Sequence, residues 1–77
     1  MKTFALATNY WSETDIMLEI IKADSEEEAL LSCLRELEGY EKEDAKILGK
    51  DFPNRESLSI DERFILLETV YAIEEVL

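Results

Sequence analysis

Hydrophobic and polar residues alternate along the first third of the chain and then recur at helical spacing. Phe4, Leu6, Thr8 and Tyr10 alternate with Thr3, Ala5, Ala7 and Asn9, which predicts a strand over residues 2–10 with small residues on one face. Small residues there would let a helix approach closely. Ile16, Leu18 and Ile20 alternate with Met17, Glu19 and Ile21, which predicts a second strand over Ile16–Ala23. One face of that strand is for the core; the other is only half polar, so it too is expected to be partly covered. Trp11-Ser12-Glu13-Thr14-Asp15 joins the two and suits a hairpin loop, making the strands antiparallel neighbours.

Ser25-Glu26-Glu27-Glu28 is a capping box, in which the Ser25 hydroxyl accepts from the third helical N–H and Glu28 reaches back to the cap. Its three glutamates also oppose the positive end of the helix dipole. Ala29, Leu30, Cys33, Leu34 and Leu37 follow as a core stripe, and Gly39 suits the left-handed position that ends a helix. Glu41 to Asp44 is a polar connection, Ala45-Lys46-Ile47-Leu48 a candidate short third strand, and Lys50 to Glu56 a loop in which Pro53 holds Phe52 extended. Ser59-Ile60-Asp61-Glu62 is a second capping box and predicts a helix running on to Leu77. On such a helix Ile60, Phe64, Leu67 and Tyr71 share one stripe and Leu66, Val70, Ile73 and Leu77 lie beside it. Asp61, Glu68 and Glu75, seven apart, form an acidic ridge. A helix apolar around most of its circumference is buried on more than one side. That predicts a homodimer, with Leu66, Val70, Ile73 and Leu77 at the interface, or a helix bound to a partner. The expected fold is α+β: an antiparallel hairpin, extended to three strands if residues 45–48 join it, with two helices on one face in the order ββα(β)α.

Length and charge narrow the picture. The 77 residues make one domain, 1–77, too short to be very stable without help. Hydrophobic residues make up 47% of the chain, ample for a core, so the net charge of −11 does not mean disorder. Nineteen acids against eight bases disfavour contact with nucleic acid or anionic membranes and point to a basic protein partner. There is no histidine, so the usual general base near neutral pH is absent and no Ser-His or Cys-His pair can form. Neither glycine belongs to a phosphate-binding loop. The expectation is a protein that is not an enzyme and carries no cofactor. Glu41, Glu43 and Asp44 lack the calcium-loop pattern, so no metal is expected. The single Cys33 reads as a small core residue in a reducing, cytoplasmic setting, and no apolar run approaches the length of a membrane span.

The acids cluster. Glu26, Glu27 and Glu28 open the first helix, Glu36, Glu38, Glu41, Glu43 and Asp44 crowd its far end, and Asp61, Glu68 and Glu75 follow. Carboxylates three or four apart on a helix lie roughly 5–6 Å from each other, comparable with the phosphates of a nucleic acid strand. Glu41, Glu43, Asp44, Asp61, Glu68 and Glu75 are therefore candidate partner-binding residues, with Trp11 as an apolar anchor. The run Ile21-Lys22-Ala23-Asp24-Ser25-Glu26-Glu27-Glu28-Ala29-Leu30 resembles a pattern common in small phage-encoded proteins, and size, charge and α+β character resemble the small acidic anti-CRISPR and anti-restriction proteins. An acidic surface of this spacing can act as a nucleic-acid mimic in a basic site, and the resemblance implies a stoichiometric inhibitor in the host cytoplasm that binds a host defence complex and blocks its nucleic acid or its assembly. The alternative from the same sequence is a homodimeric assembly or accessory module built on the apolar C-terminal segment.

Overall fold

The computed structural model describes all 77 residues. The elements are β1 (Lys2–Tyr10), β2 (Met17–Ala23), α1 (Glu26–Ile47), α2 (Ile60–Leu66) and β3 (Thr69–Val76). The strands form one antiparallel sheet in the order β2-β1-β3. An α+β fold with the expected N-terminal hairpin and two helices is the result. No helix is long and apolar enough to cross a membrane.

The third strand is not where the sequence placed it. Residues 45–48 finish α1 and cap it, and β3 comes instead from the segment read as the second half of a C-terminal helix. Both Ser caps form as expected: the Ser25 hydroxyl accepts from the Glu28 N–H and the Ser59 hydroxyl from the Glu62 N–H, each at 3.2 Å. Both helices end at residues other than those the sequence pattern predicts. Gly39 lies inside α1, and the left-handed position belongs to Gly49, at φ 70°. There the Gly49 and Lys50 N–H groups close on the Lys46 and Ala45 carbonyls at 3.2 and 2.8 Å, the paired bonds of a Schellman motif. The second helix stops after two turns because Glu68 takes a positive φ of 53° and turns the chain into Thr69-Val70-Tyr71-Ala72-Ile73. A β-branched and aromatic run suits a strand, and β1 has a free edge for it to fill.

Residues paired directly across an antiparallel ladder share a face. Phe4 and Leu6 of β1 are buried beneath the helices, so their partners Ile21 and Glu19 on β2, and Ile73 on β3, face the same way. The interior is small: Leu6, Leu30, Cys33, Leu34, Phe64 and Leu67 form its larger cluster, and Phe4, Ala23 and Ala29 a second one beside it. Phe64 anchors α2, with its ring 4.4 Å from that of Tyr71 at a 36° tilt.

One ion pair ties α1 to α2. Arg63 is 8% exposed and donates through Nε to Glu38 at 3.1 Å and through Nη2 to the other carboxylate oxygen. The bond to Glu38 raises the Arg63 pKa, against the opposing effect of burial. Phe64→Ala should lower stability by about 3–5 kcal/mol, read as a fall in the urea midpoint at unchanged slope. Glu38→Ala, which strands a buried guanidinium, should cost about 3–5 kcal/mol. The double change Glu38→Leu with Arg63→Met should recover most of that loss in the same titration.

Candidate functional site: the outer face of the sheet

The face of the sheet opposite the helices is apolar and uncovered. The ladder puts Ala5 level with Ile20 and Glu74, Ala7 with Leu18 and Ala72, Thr3 with Lys22 and Val76, and Asn9 with Val70. All of these point away from the core face that Phe4 and Leu6 define. Leu18 is 71% exposed and Ile20 61%, although both sit in the middle of a regular strand. Lys22 and Glu74 are the charged residues of this face, one on each outer strand. A depression of about 230 Å³ lies on it between Ala7, Ile16, Val70 and Ala72.

This face reverses the reading of β2. The all-apolar set Ile16, Leu18, Ile20 points outward, and the half-polar set containing Glu19 and Ile21 points to the helices. Hairpin register is the physical reason: Leu6 pairs with Glu19 and Phe4 with Ile21, so the parity of the loop outweighs the hydrophobicity of β2. The small-residue face of β1 (Ala5, Ala7) likewise does not receive a helix. The helices pack on the side of Phe4 and Leu6.

The residues expected to bind a partner do not form one surface. Trp11 is exposed at the start of the β1–β2 loop, and its N–H donates to the Glu68 carbonyl at 2.9 Å, so these two are neighbours. Glu41 is half-buried and leans on Arg55 at 3.4 Å, whereas Glu43 and Asp44 are exposed in the last turns of α1. Asp61 accepts from the Tyr71 hydroxyl at 2.6 Å, and Glu75 lies 3.9 Å from Lys2 at the end of β3. The ridge of Asp61, Glu68 and Glu75 is dissolved, because these residues occupy a helix, a turn and a strand. The expected dimer stripe is split in the same way. Leu66 ends α2, Val70 lies on the outer face, Ile73 packs against the core and Leu77 is the exposed last residue.

Two titratable side chains are strongly perturbed, and neither lies on the outer face. Burial, with Glu19 and Glu36 nearby, pushes the Cys33 thiol up to about 11. The hydrogen bond to Asp61, with some burial, pushes Tyr71 up to about 12. Both shifts favour the protonated, neutral form in the folded state. Their stabilisation is whole below about pH 9 for Cys33 and pH 10 for Tyr71, and is lost as pH rises through about 11 and about 12.

Comparison with protein-family models, with curated proteins and with solved structures finds no match to this chain.

Cys33 should therefore react with a disulfide reagent at neutral pH only as fast as the chain opens, and at the free-thiol rate in denaturant. In an alkaline titration followed by denaturant midpoint, wild type should lose stability between about pH 10 and 12, and Tyr71→Phe should show a flatter profile over that interval.

Proposed function

We propose that this chain is a non-catalytic interaction module that assembles with a second copy of itself through the outer face of the sheet. The observation that carries this reading is that face: Leu18, Ile20, Val70 and Val76 are exposed around Ala5, Ala7 and Ala72 on a regular sheet. Contiguous exposed apolar surface of this kind marks an interaction site.

Charge placement favours a second copy as the occupant. Sheets stack face to face about 10 Å apart. A two-fold axis parallel to the strands lays β2 of one copy over β3 of the other, since these are the outer strands on opposite sides of β1. Lys22 and Glu74 then stand two rungs apart along the strand, roughly 7 Å, within reach of a lysine side chain, and symmetry makes the pair twice. Three strands of this length present a face of roughly 14 by 27 Å, or roughly 400 Å². A standard interface buries about 800 Å² per partner. The association is accordingly a weak, concentration-dependent one.

A second reading rests on a different observation. Three ion pairs occupy Glu38, Glu41 and Glu75, leaving sixteen of the nineteen acidic side chains without a cation. Glu36, Glu43 and Asp44 are among those exposed along α1. This surface supports the inhibitor implied by the phage-protein resemblance, acting on a basic nucleic-acid-binding site of a host defence complex. Its signature is inhibition of such a complex that weakens as salt is raised and is lost in Glu43→Lys with Asp44→Lys; inhibition indifferent to both would rule the electrostatic mechanism out.

For the leading reading, sedimentation over a wide concentration range should show a monomer–dimer equilibrium. Leu18→Asp or Ile20→Asp should leave a folded monomer, because both side chains are exposed in the single chain. Lys22→Glu and Glu74→Lys should each weaken the dimer, and together should restore it. A monomer at every concentration, or a dimer untouched by Leu18→Asp, sinks the proposal.

A further inference from the structure

Four of the eight basic residues line one cavity of about 350 Å³ between α1, the segment Phe52–Glu56 and α2. They are Arg35, Lys42, Arg55 and Arg63. This concentration runs against a net charge of −11, and it has a layout. Arg35, Gly39 and Lys42 are four and three residues apart on α1, so they share one face of the helix, with the glycine between the two cations. Arg35 and Lys42 make no ion pair.

Gly39 has no role in the fold that requires glycine. Its φ is not positive, and a Cβ built there would meet nothing within 4 Å. A glycine inside a helix is less stable than alanine. Here it keeps a strip of bare backbone open on the cavity wall. Opposite it, Arg55 stacks its guanidinium 4.5 Å over the Phe52 ring and spends one Nη1 on Glu41 at 3.4 Å. Its Nε is buried and has no acceptor. Arg63 is already committed to Glu38, and Glu56 is the remaining carboxylate of the lining. Counting Glu41 with Glu38 and Glu56, the cavity keeps a positive charge.

We infer that this cavity binds a small oxyanion of the phosphate class, held by Arg35, Lys42 and Arg55 over the bare backbone at Gly39. Guanidinium forks match the oxygens of a phosphoryl group, and a pocket of this size suits a small ligand. The site is separate from the outer face of the sheet, so it stands or falls independently of self-association.

The test is a nuclear magnetic resonance titration of the full-length chain at constant ionic strength set with sodium chloride. One arm uses inorganic phosphate and the other glycerol phosphate. Saturating shifts should centre on the Gly39 amide and on Arg35 and Arg55 Nε. Tighter binding of the ester assigns the site to an organic phosphate, and tighter binding of the free ion to phosphate itself. Arg35→Gln and Lys42→Gln, both exposed and outside the core, should each weaken binding by about tenfold. Gly39→Ala should raise the thermal midpoint while weakening binding. Shifts that rise linearly without saturation in both arms overturn the inference, as do saturating shifts that persist undiminished in the Arg35→Gln, Lys42→Gln double variant.

Discussion

The burial of Phe4 and Leu6 on one face of the central strand governs the rest of the molecule. Both side chains lie under the helices and are almost fully buried. Because β1 is flanked on both sides, its phase sets the phase of both neighbours through the ladder. It sends Ile21, Ile73 and Tyr71 inward and Leu18, Ile20, Val70 and Val76 outward. It also places the small residues Ala5 and Ala7 at the centre of the face that remains open. A one-residue slip of β2 would exchange its inner and outer sets and put Leu18 and Ile20 against α1. The register that holds instead leaves those two in water.

The interior this creates is modest. Eleven residues are buried, and the buried part of α1 is confined to Ala29, Leu30, Cys33 and Leu34 in its first half. Beyond Leu37 the helix is steadied by polar contacts: Glu38 with Arg63, Glu41 with Arg55, and the Schellman closure at Gly49. So the molecule has two regimes. Near the sheet it is a hydrophobic two-layer structure, and at the far end of α1 it is a charged framework around a cavity. Exposed ion pairs contribute little, but Arg63 is buried, and removing one member of a buried pair leaves an uncompensated charge. The far end is therefore sensitive to changes in charge, whereas the near end is sensitive to changes in volume.

An uncovered apolar sheet face is costly for a small chain in water, and a partner surface is the direct remedy. The surplus of acid has a complementary effect. Net negative charge of this size opposes indiscriminate stacking through long-range repulsion. In the proposed dimer, Lys22 and Glu74 would select one arrangement from the many that apolar contact alone would permit. The cationic cavity sits in a separate part of the molecule, between the middle of α1, residues 52–56 and α2.

Local sequence specifies the features that short-range physics controls. The two Ser caps follow from contacts within a few residues, and the core stripe of α1 with its buried Cys33 and the N-terminal hairpin follow from the local periodicity and a short loop. The remaining features are set by contacts longer in range. Gly39 reads locally as the end of α1, but the helix runs on to Ile47 and ends at Gly49 because it stays packed, first against the sheet and then against the 52–56 segment. Thr69 to Val76 fits a helical stripe nearly as well as a strand, and no glycine or proline marks Glu68 as a turn. The unpaired edge of β1 settles that segment as β3, since it gains a full ladder of backbone hydrogen bonds there. The candidate site was hidden for the same reason. Ile16, Leu18 and Ile20 read as core because they are hydrophobic, but which face of a strand is inside depends on the register of its neighbour, and register is a property of the assembled sheet.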